Sequence, residues 1–140
     1  MNVKVADLMV PRVVTTTPHK SVGHAKSLLR DNNIRVLPIV GPEQEPVGIV
    51  SASDLLDGAS ENTPLSQVMT KKVYSVAQYD DVHVPARVMR NHRIHHVVVT
   101  HEKRVVGILS SFDLMRLVEE HRFVMKNAPT SSSRKKKQRE

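Results

Sequence analysis

Two stretches carry the residue types and spacing that could do chemistry: Gly48-Ile-Val-Ser51-Ala-Ser-Asp54 and Gly107-Ile-Leu-Ser110-Ser-Phe-Asp113. In each, a short apolar run hands over to polar residues that begin a helix. A serine with an acid three residues on can form a capping box, in which the hydroxyl accepts from a first-turn amide and the carboxylate reaches back to the serine. The same geometry suits a phosphorylated ligand. Free amides and the positive dipole end at a helix start favour an anion, and the hydroxyl can bond a phosphate or sugar oxygen. The carboxylate can accept from two adjacent ribose hydroxyls, as an acidic residue does in dinucleotide folds. Taken from the residues alone, both readings stay open.

Histidine is the other chemically active residue in quantity, with eight in the chain. His83, His92, His95, His96 and His101 raise the question of a metal. His92 and His96 would share one helix face only if the helix ran on through Arg93 to His95, and Ile94-His-His-Val-Val-Val reads as the start of a strand. No metal site is expected. There is no cysteine, which excludes disulfides, thiolate metal sites and a cysteine nucleophile. No Ser-His-Asp or paired-carboxylate spacing points to catalysis, so the chain is not read as an enzyme.

The elements that position these residues come in two copies. Sliding the sequence by 60 residues lays Met9 on Met69, Val13 on Val73, Val22 on Val82 and Ile34 on Ile94. With one deletion in the following loop the offset becomes 59, and Val47, Gly48, Ile49, Ser51, Asp54 and Leu55 fall on Val106, Gly107, Ile108, Ser110, Asp113 and Leu114. Each copy reads β-α-β-β-α, an α/β (α+β) fold class. In the first, Val13 to Thr16 is a β-branched run stopped by Pro18. Ser21 caps a helix with Val22, Ala25, Leu28 and Leu29 on its buried face. Ile34 to Val40 and Val47 to Val50 form a hairpin, and a last helix starting at the Ser51 motif stops at Gly58. The second copy gives strands at Val73 to Val76, Ile94 to Val99 and Val105 to Leu109. Its first helix covers Asp81 to His92 and must start near Asp81 or kink, because Pro85 lacks an amide donor. Its last helix runs from Ser111 with Leu114, Leu117, Val118 and Phe123 as buried positions. The expected divisions are a first repeat over 1–62, a second over 63–127, and a Ser-rich, basic, disordered tail over 128–140.

The repeat, the two Gly-hydrophobic-x-Ser-x-x-Asp motifs and Ile34-Arg-Val-Leu-Pro38-Ile-Val together resemble cystathionine-β-synthase (CBS) domains in tandem, the Bateman module, over about Val5 to Glu120. The resemblance implies a pseudo-twofold module with two clefts between the repeats, often binding adenosine nucleotides and often pairing into dimers. It implies that Asp54 with Ser51, and Asp113 with Ser110, hold ribose and phosphate. It further implies that the base lies between Ile49 and Val73 in one cleft and between Ile108 and Val13 in the other. His95 and His96 match a basic pair that faces the phosphates in the kinase-regulating branch of the family. Arg35 occupies their place in the first repeat, either for the same task or simply to cover a strand end. On this reading the histidines serve the Asp113 cleft, and the Asp54 cleft relies on Arg35 with Lys71 or Lys72. Phe112, standing where the first repeat has Ser53, narrows or closes the second cleft.

The formal net charge is +7, but Arg134, Lys135, Lys136, Lys137 and Arg139 against Glu140 supply +4 of it and residues 1–133 only +3. With Tyr74, Tyr79, Phe112 and Phe123 as its aromatics, the body lacks the basic, aromatic face of a nucleic-acid reader. Only the tail could touch a polyanion, nonspecifically and in a salt-sensitive way. No apolar run reaches the roughly 18 residues of a membrane span, and no signal peptide opens the chain. The expectation is a soluble, cytoplasmic, stand-alone regulatory module. It needs no cofactor, binds an adenine nucleotide as ligand, forms a homodimer and answers to a regulated protein partner. The rival is an interaction scaffold with vestigial clefts.

Overall fold

The computed structural model describes residues 3–56 and 58–120. Its elements are α1 (Val5–Leu8), β1 (Val10–Pro11), α2 (Val22–Asp31), β2 (Val36–Val40), β3 (Pro46–Ser51), β4 (Ser75–Ala77), α3 (His83–His92), β5 (His96–His101), β6 (Arg104–Ser110) and α4 (Ser111–Glu120). Two short 3-10 turns, Ser53–Leu56 and Leu65–Gln67, stand between β3 and β4. The architecture is the mixed α/β repeat read from the sequence. Phe123 and the basic tail over 128–140 lie outside the described residues. Among those described, no helix is long and apolar enough to cross a membrane.

The two halves match pair by pair. Pro38 faces Ile49 and Ile39 faces Gly48 across the β2–β3 hairpin, as Val98 faces Ile108 and Val99 faces Gly107 across β5–β6. Ser21 Oγ accepts from the His24 amide at 3.1 Å, so α2 begins at its expected cap. α3 starts at His83, which leaves Pro85 in the first turn, where no backbone donor is needed.

Three expectations change, the first being that Val118, read as a buried position, is 64% exposed on α4. The last helix of the first repeat is a single 3-10 turn, because Gly58, with φ of +79°, follows within one turn of the motif. The second repeat has Leu117 at that register, and α4 continues for ten residues. The leading strand of each repeat is also split between the sheets. β1 pairs with β6, in the other repeat's sheet, and only Thr16 then bridges Ile39 on β2. In the same way Thr70 bridges Ile49 on β3 before β4 pairs in parallel with β5.

The chain therefore crosses between sheets twice, over residues 11–16 and 71–75, and the cores follow the crossings. One core gathers Val22, Ala25, Leu29, Leu37, Ile39, Val50, Leu55 and Leu65. The other gathers Val76, Met89, Val97, Val99 and Leu109 with Val5 and Leu8 from the start of the chain. The Val5 and Ala6 amides donate to the carbonyls of Asp80 and Gln78, and those of Leu65 and Ser66 to Lys20 and Pro18, the same contacts at the 60-residue offset. Gly48 and Gly107 admit the residues that lead into these crossings. A Cβ there would stand 2.5 Å from Met69 Sδ and 2.6 Å from Met9 Sδ.

Leu8 and Leu65 are thus core residues of halves to which they are joined only through a crossing. Leu8→Ala and Leu65→Ala are each expected to lower unfolding stability in urea by about 2–5 kcal/mol, the cost of a cavity at a buried leucine. A change below about 0.5 kcal/mol in either, the range of surface substitutions, would contradict the crossed arrangement.

Candidate functional site

Both motifs close the reciprocal capping box. The Ser51 amide donates to Asp54 Oδ2 at 2.8 Å and the Asp54 amide donates to Ser51 Oγ at 3.3 Å. In the second copy the Ser110 amide donates to Asp113 Oδ2 at 2.8 Å and the Asp113 amide to Ser110 Oγ at 3.0 Å. The Ala52 and Ser111 amides donate to the carbonyls of Arg35 and His95 at 2.9 and 2.8 Å. Three amides at each motif are therefore already engaged, and the first motif opens only a four-residue turn. Any anion held here has to be neutralised by side chains more than by a helix end. The second carboxylate oxygen, Oδ1 of Asp54 and of Asp113, has no hydrogen bond among the described residues and remains an acceptor.

A cleft of about 560 Å³ opens beside the first motif. Arg35 and Val36 lead into β2 on one wall, with Ile49, Ser51, Ala52 and Ser53 from β3 and its exit. The crossing segment contributes Thr70, Lys72 and Tyr74, and the approach to β5 contributes Ile94, His95 and His96. Every ionisable group with a formal or available charge on this lining, apart from the Tyr74 phenol, is a base: Arg35, Lys72, His95 and His96. His96 is half-buried. Burial, with His95 adding to it and Asp113 opposing, holds its pKa below the ordinary histidine value.

Of the residues read from the sequence, the structure brings Arg35, Ile49, Ser51, His95 and His96 into this one cleft. This corrects the division of labour. The histidines line the cleft at the first motif, where only Arg35 and a lysine were expected, because His95 and His96 stand at the register of Arg35 and Val36 and the two strand entries meet centrally. The lysine is Lys72; Lys71 is exposed and outside the lining. Val73 is half-buried and not on the wall, where its neighbour Tyr74 stands instead. Asp54 is half-buried and not on the lining, its Oδ2 accepting from the Ser51 amide.

Ile108, Ser110, Asp113 and Val13 are half-buried at the pseudo-equivalent place, where Val10 pairs with Ile108 as Thr70 does with Ile49. Phe112 does not fill that place, since its side chain is 78% exposed. His95 Nδ1 lies 3.3 Å from Ser111 Oγ and also borders a shallow groove of about 380 Å³ with Met89, Arg90, Arg93 and Ile94. The sequence reading missed Tyr74, Thr70 and Ile94. The signal was the 60-residue offset that lays Tyr74 on Val14, legible only once the leading strand is known to cross between sheets. No cluster of three or more metal-ligating side chains forms among the described residues.

Comparison with known proteins bears on the fold that carries this cleft. The chain is 31% identical over 123 residues to a homoserine O-acetyltransferase of Methanosalsum zhilinae, a match that covers 86% of the chain but 25% of that protein. The chain thus spans about a quarter of the length of such relatives. The CBS domain pair of protein MJ0100, solved with 5′-methylthioadenosine and S-adenosyl-L-methionine, superposes with a TM-score of 0.78 at 29% identity, over 86% of this chain and 98% of that one. A CBS domain protein of Pyrobaculum aerophilum complexed with AMP superposes with a TM-score of 0.76 at 25% identity, over 84% and 97%. The CBS domain profile itself matches residues 5–61 and again 65–120. Because both matches fall on the stretches that build the two sheets and the cleft between them, the chain belongs to the CBS domain family, as a tandem pair.

Proposed function

We propose that this pair is a regulatory module that senses an adenine nucleotide of the AMP, ADP or ATP kind in the cleft beside Ser51 and signals through dimer or partner contacts. The observation that carries this reading is a cleft of about 560 Å³, within the usual size of a small-molecule site, lined by the cations Arg35 and Lys72 and by two histidines, with no acid on the lining. Ile49, Val36 and Ile94 offer apolar contact to a base, while Arg35, Lys72, His95 and His96 suit its phosphates. Asp54 Oδ1 is the acceptor we assign to the ribose, reached past Ser51, with Ser110, Asp113, Ile108 and Val13 as the matching set in the second half. The AMP complex of the Pyrobaculum protein supports the ligand class. The chemistry asks for no catalytic group and no cofactor, and the cysteine-free chain fits a cytoplasmic setting.

A second reading, a dimerising or docking scaffold, is favoured by a separate observation. α4 buries none of its ten residues, and Phe112, Met115 and Val118 stand 78%, 61% and 64% exposed, near the spacing of one helix face, with Leu56 at 79% in the register of Met115. The two readings combine if this face is where a second copy sits. Light scattering is expected to give a dimer, and Met115→Glu or Val118→Glu to give a monomer. A wild-type monomer at high concentration would remove the pairing.

Thermal shift against AMP, ADP, ATP and S-adenosylmethionine separates sensor from scaffold, since a ligand at about 100 times its Kd stabilises the folded state by about 2.7 kcal/mol. Asp54→Ala is expected to weaken nucleotide binding about tenfold or more by calorimetry, the loss of one charge-assisted bond. Asp113→Ala should do the same at any second site. A variant that loses only about 0.5–2 kcal/mol of stability at unchanged affinity would confine the motif to capping.

The histidines add a pH dependence with a definite sign. His96 is held below its ordinary pKa in the free protein, chiefly by burial, which favours the neutral imidazole, and a phosphate beside it raises its proton affinity. Binding should therefore take up protons, and affinity should fall as pH rises from the free to the bound pKa of His96. Calorimetry at pH 6 and pH 8, in buffers of different ionisation enthalpy, is expected to show proton uptake in wild type and less in His96→Gln. Equal affinity at both pH values would take His96 out of phosphate contact.

A further inference from the structure

We infer that Tyr74 and Lys72 form an exchangeable pair that makes the cleft select purine 5′-phosphates: the base replaces Lys72 on the Tyr74 ring, and the released ammonium meets the phosphate. This rests on the nucleotide reading above. The Tyr74 ring is stacked on the His92 imidazole, with centroids 4.1 Å apart and planes inclined by 28°. Lys72 Nζ stands over the same ring, 5.5 Å from its centroid. His92 already occupies one face at that separation, so the ammonium covers the other. Lys72 and Tyr74 line the cleft and His92 does not, so the covered face is the one turned toward a ligand.

Lys72 is exposed, so its ammonium over the half-buried Tyr74 ring stays hydrated and is a weak partner, whereas a flat base on the ring gains both stacking and buried area. The exchange costs little. His92 closes α3 at its C-terminal end and backs the ring, which therefore needs no further ordering to receive the base. The four-carbon stem of Lys72 lets its charge swing to a phosphate while Tyr74 stays in place.

The pair also sorts ligands by charge. A sulfonium nucleoside would bring a positive charge among Arg35, Lys72, His95 and His96 with no acid on the lining. An uncharged thioether nucleoside could stack, yet would lift Lys72 from the ring and offer it nothing. The expected order of affinity is AMP, then 5′-methylthioadenosine, then S-adenosylmethionine.

The chain has no tryptophan and two tyrosines, so Tyr79→Phe leaves Tyr74 as the sole fluorescent reporter. In that background AMP should quench tyrosine emission, and ribose 5-phosphate at the same concentration should not. By calorimetry Tyr74→Leu should weaken AMP about tenfold, whereas Tyr74→Phe should stay within about twofold of wild type. Lys72→Met should weaken AMP about tenfold and shrink its preference over S-adenosylmethionine. AMP bound with unchanged emission and wild-type affinity in Tyr74→Leu would overturn the pair while leaving the nucleotide reading intact. A wild-type protein that binds none of AMP, ADP and ATP would overturn both.

Discussion

The two crossings of the chain, residues 11–16 and 71–75, are what the rest of the structure depends on. A β-hairpin by itself is at best marginal in water, and among the described residues each half has one, β2–β3 or β5–β6. Each hairpin is completed on one side by residues that enter from the other half: β1 on β6, and Thr70 on β3. The cores obey the same rule, with Val5 and Leu8 filling the second and Leu65 the first. Each half therefore buries part of its apolar core with residues that arrive through a crossing. The space beside the 71–75 crossing is the cleft.

That origin explains the cleft's electrostatics. The strand entries Arg35–Val36 and His95–His96 are the same position in two copies of one unit, so the arrangement brings both basic entries to one place. The amides of the Ser51 motif cannot share the task, because Asp54, Ser51 and Arg35 already engage them. Positive charge therefore comes from side chains that keep their reach. One of them, His96, has its pKa held below the ordinary histidine value by burial, with His95 adding to it and Asp113 opposing.

Duplication fixed the frame and left the surfaces free to differ. Registers, capping boxes and even the docking of α1 and of the Leu65–Gln67 turn are shared. A glycine at 58 against Leu117 is enough to make one closing helix a single turn and the other ten residues long, with an apolar face left outward. Ser53 against Phe112 follows the same line: the small residue belongs to the cleft wall, the large one to the exposed helix.

The sequence by itself determined the repeat, the fold class, the hairpins, the Ser21 cap and the place of each Ser-x-x-Asp motif. All of these rest on contacts between residues near in the chain, where period, turn chemistry and spacing are legible. It also identified Arg35, Ser51, Ile49, His95 and His96 as residues worth placing. Only the tertiary structure decided which of them meet. Val13 to Thr16 reads as one strand, yet its neighbours Val10 and Pro11 pair with β6 and Thr16 with β2, because pairing partners some 23 and 98 residues away carry no local signature. The same is true of Tyr74: its residue type was visible, but its stacking on His92 and the approach of Lys72 to its ring exist only after the chain has crossed. Chemistry confined to one turn can be read along the chain, and chemistry shared between halves waits on the crossing that joins them.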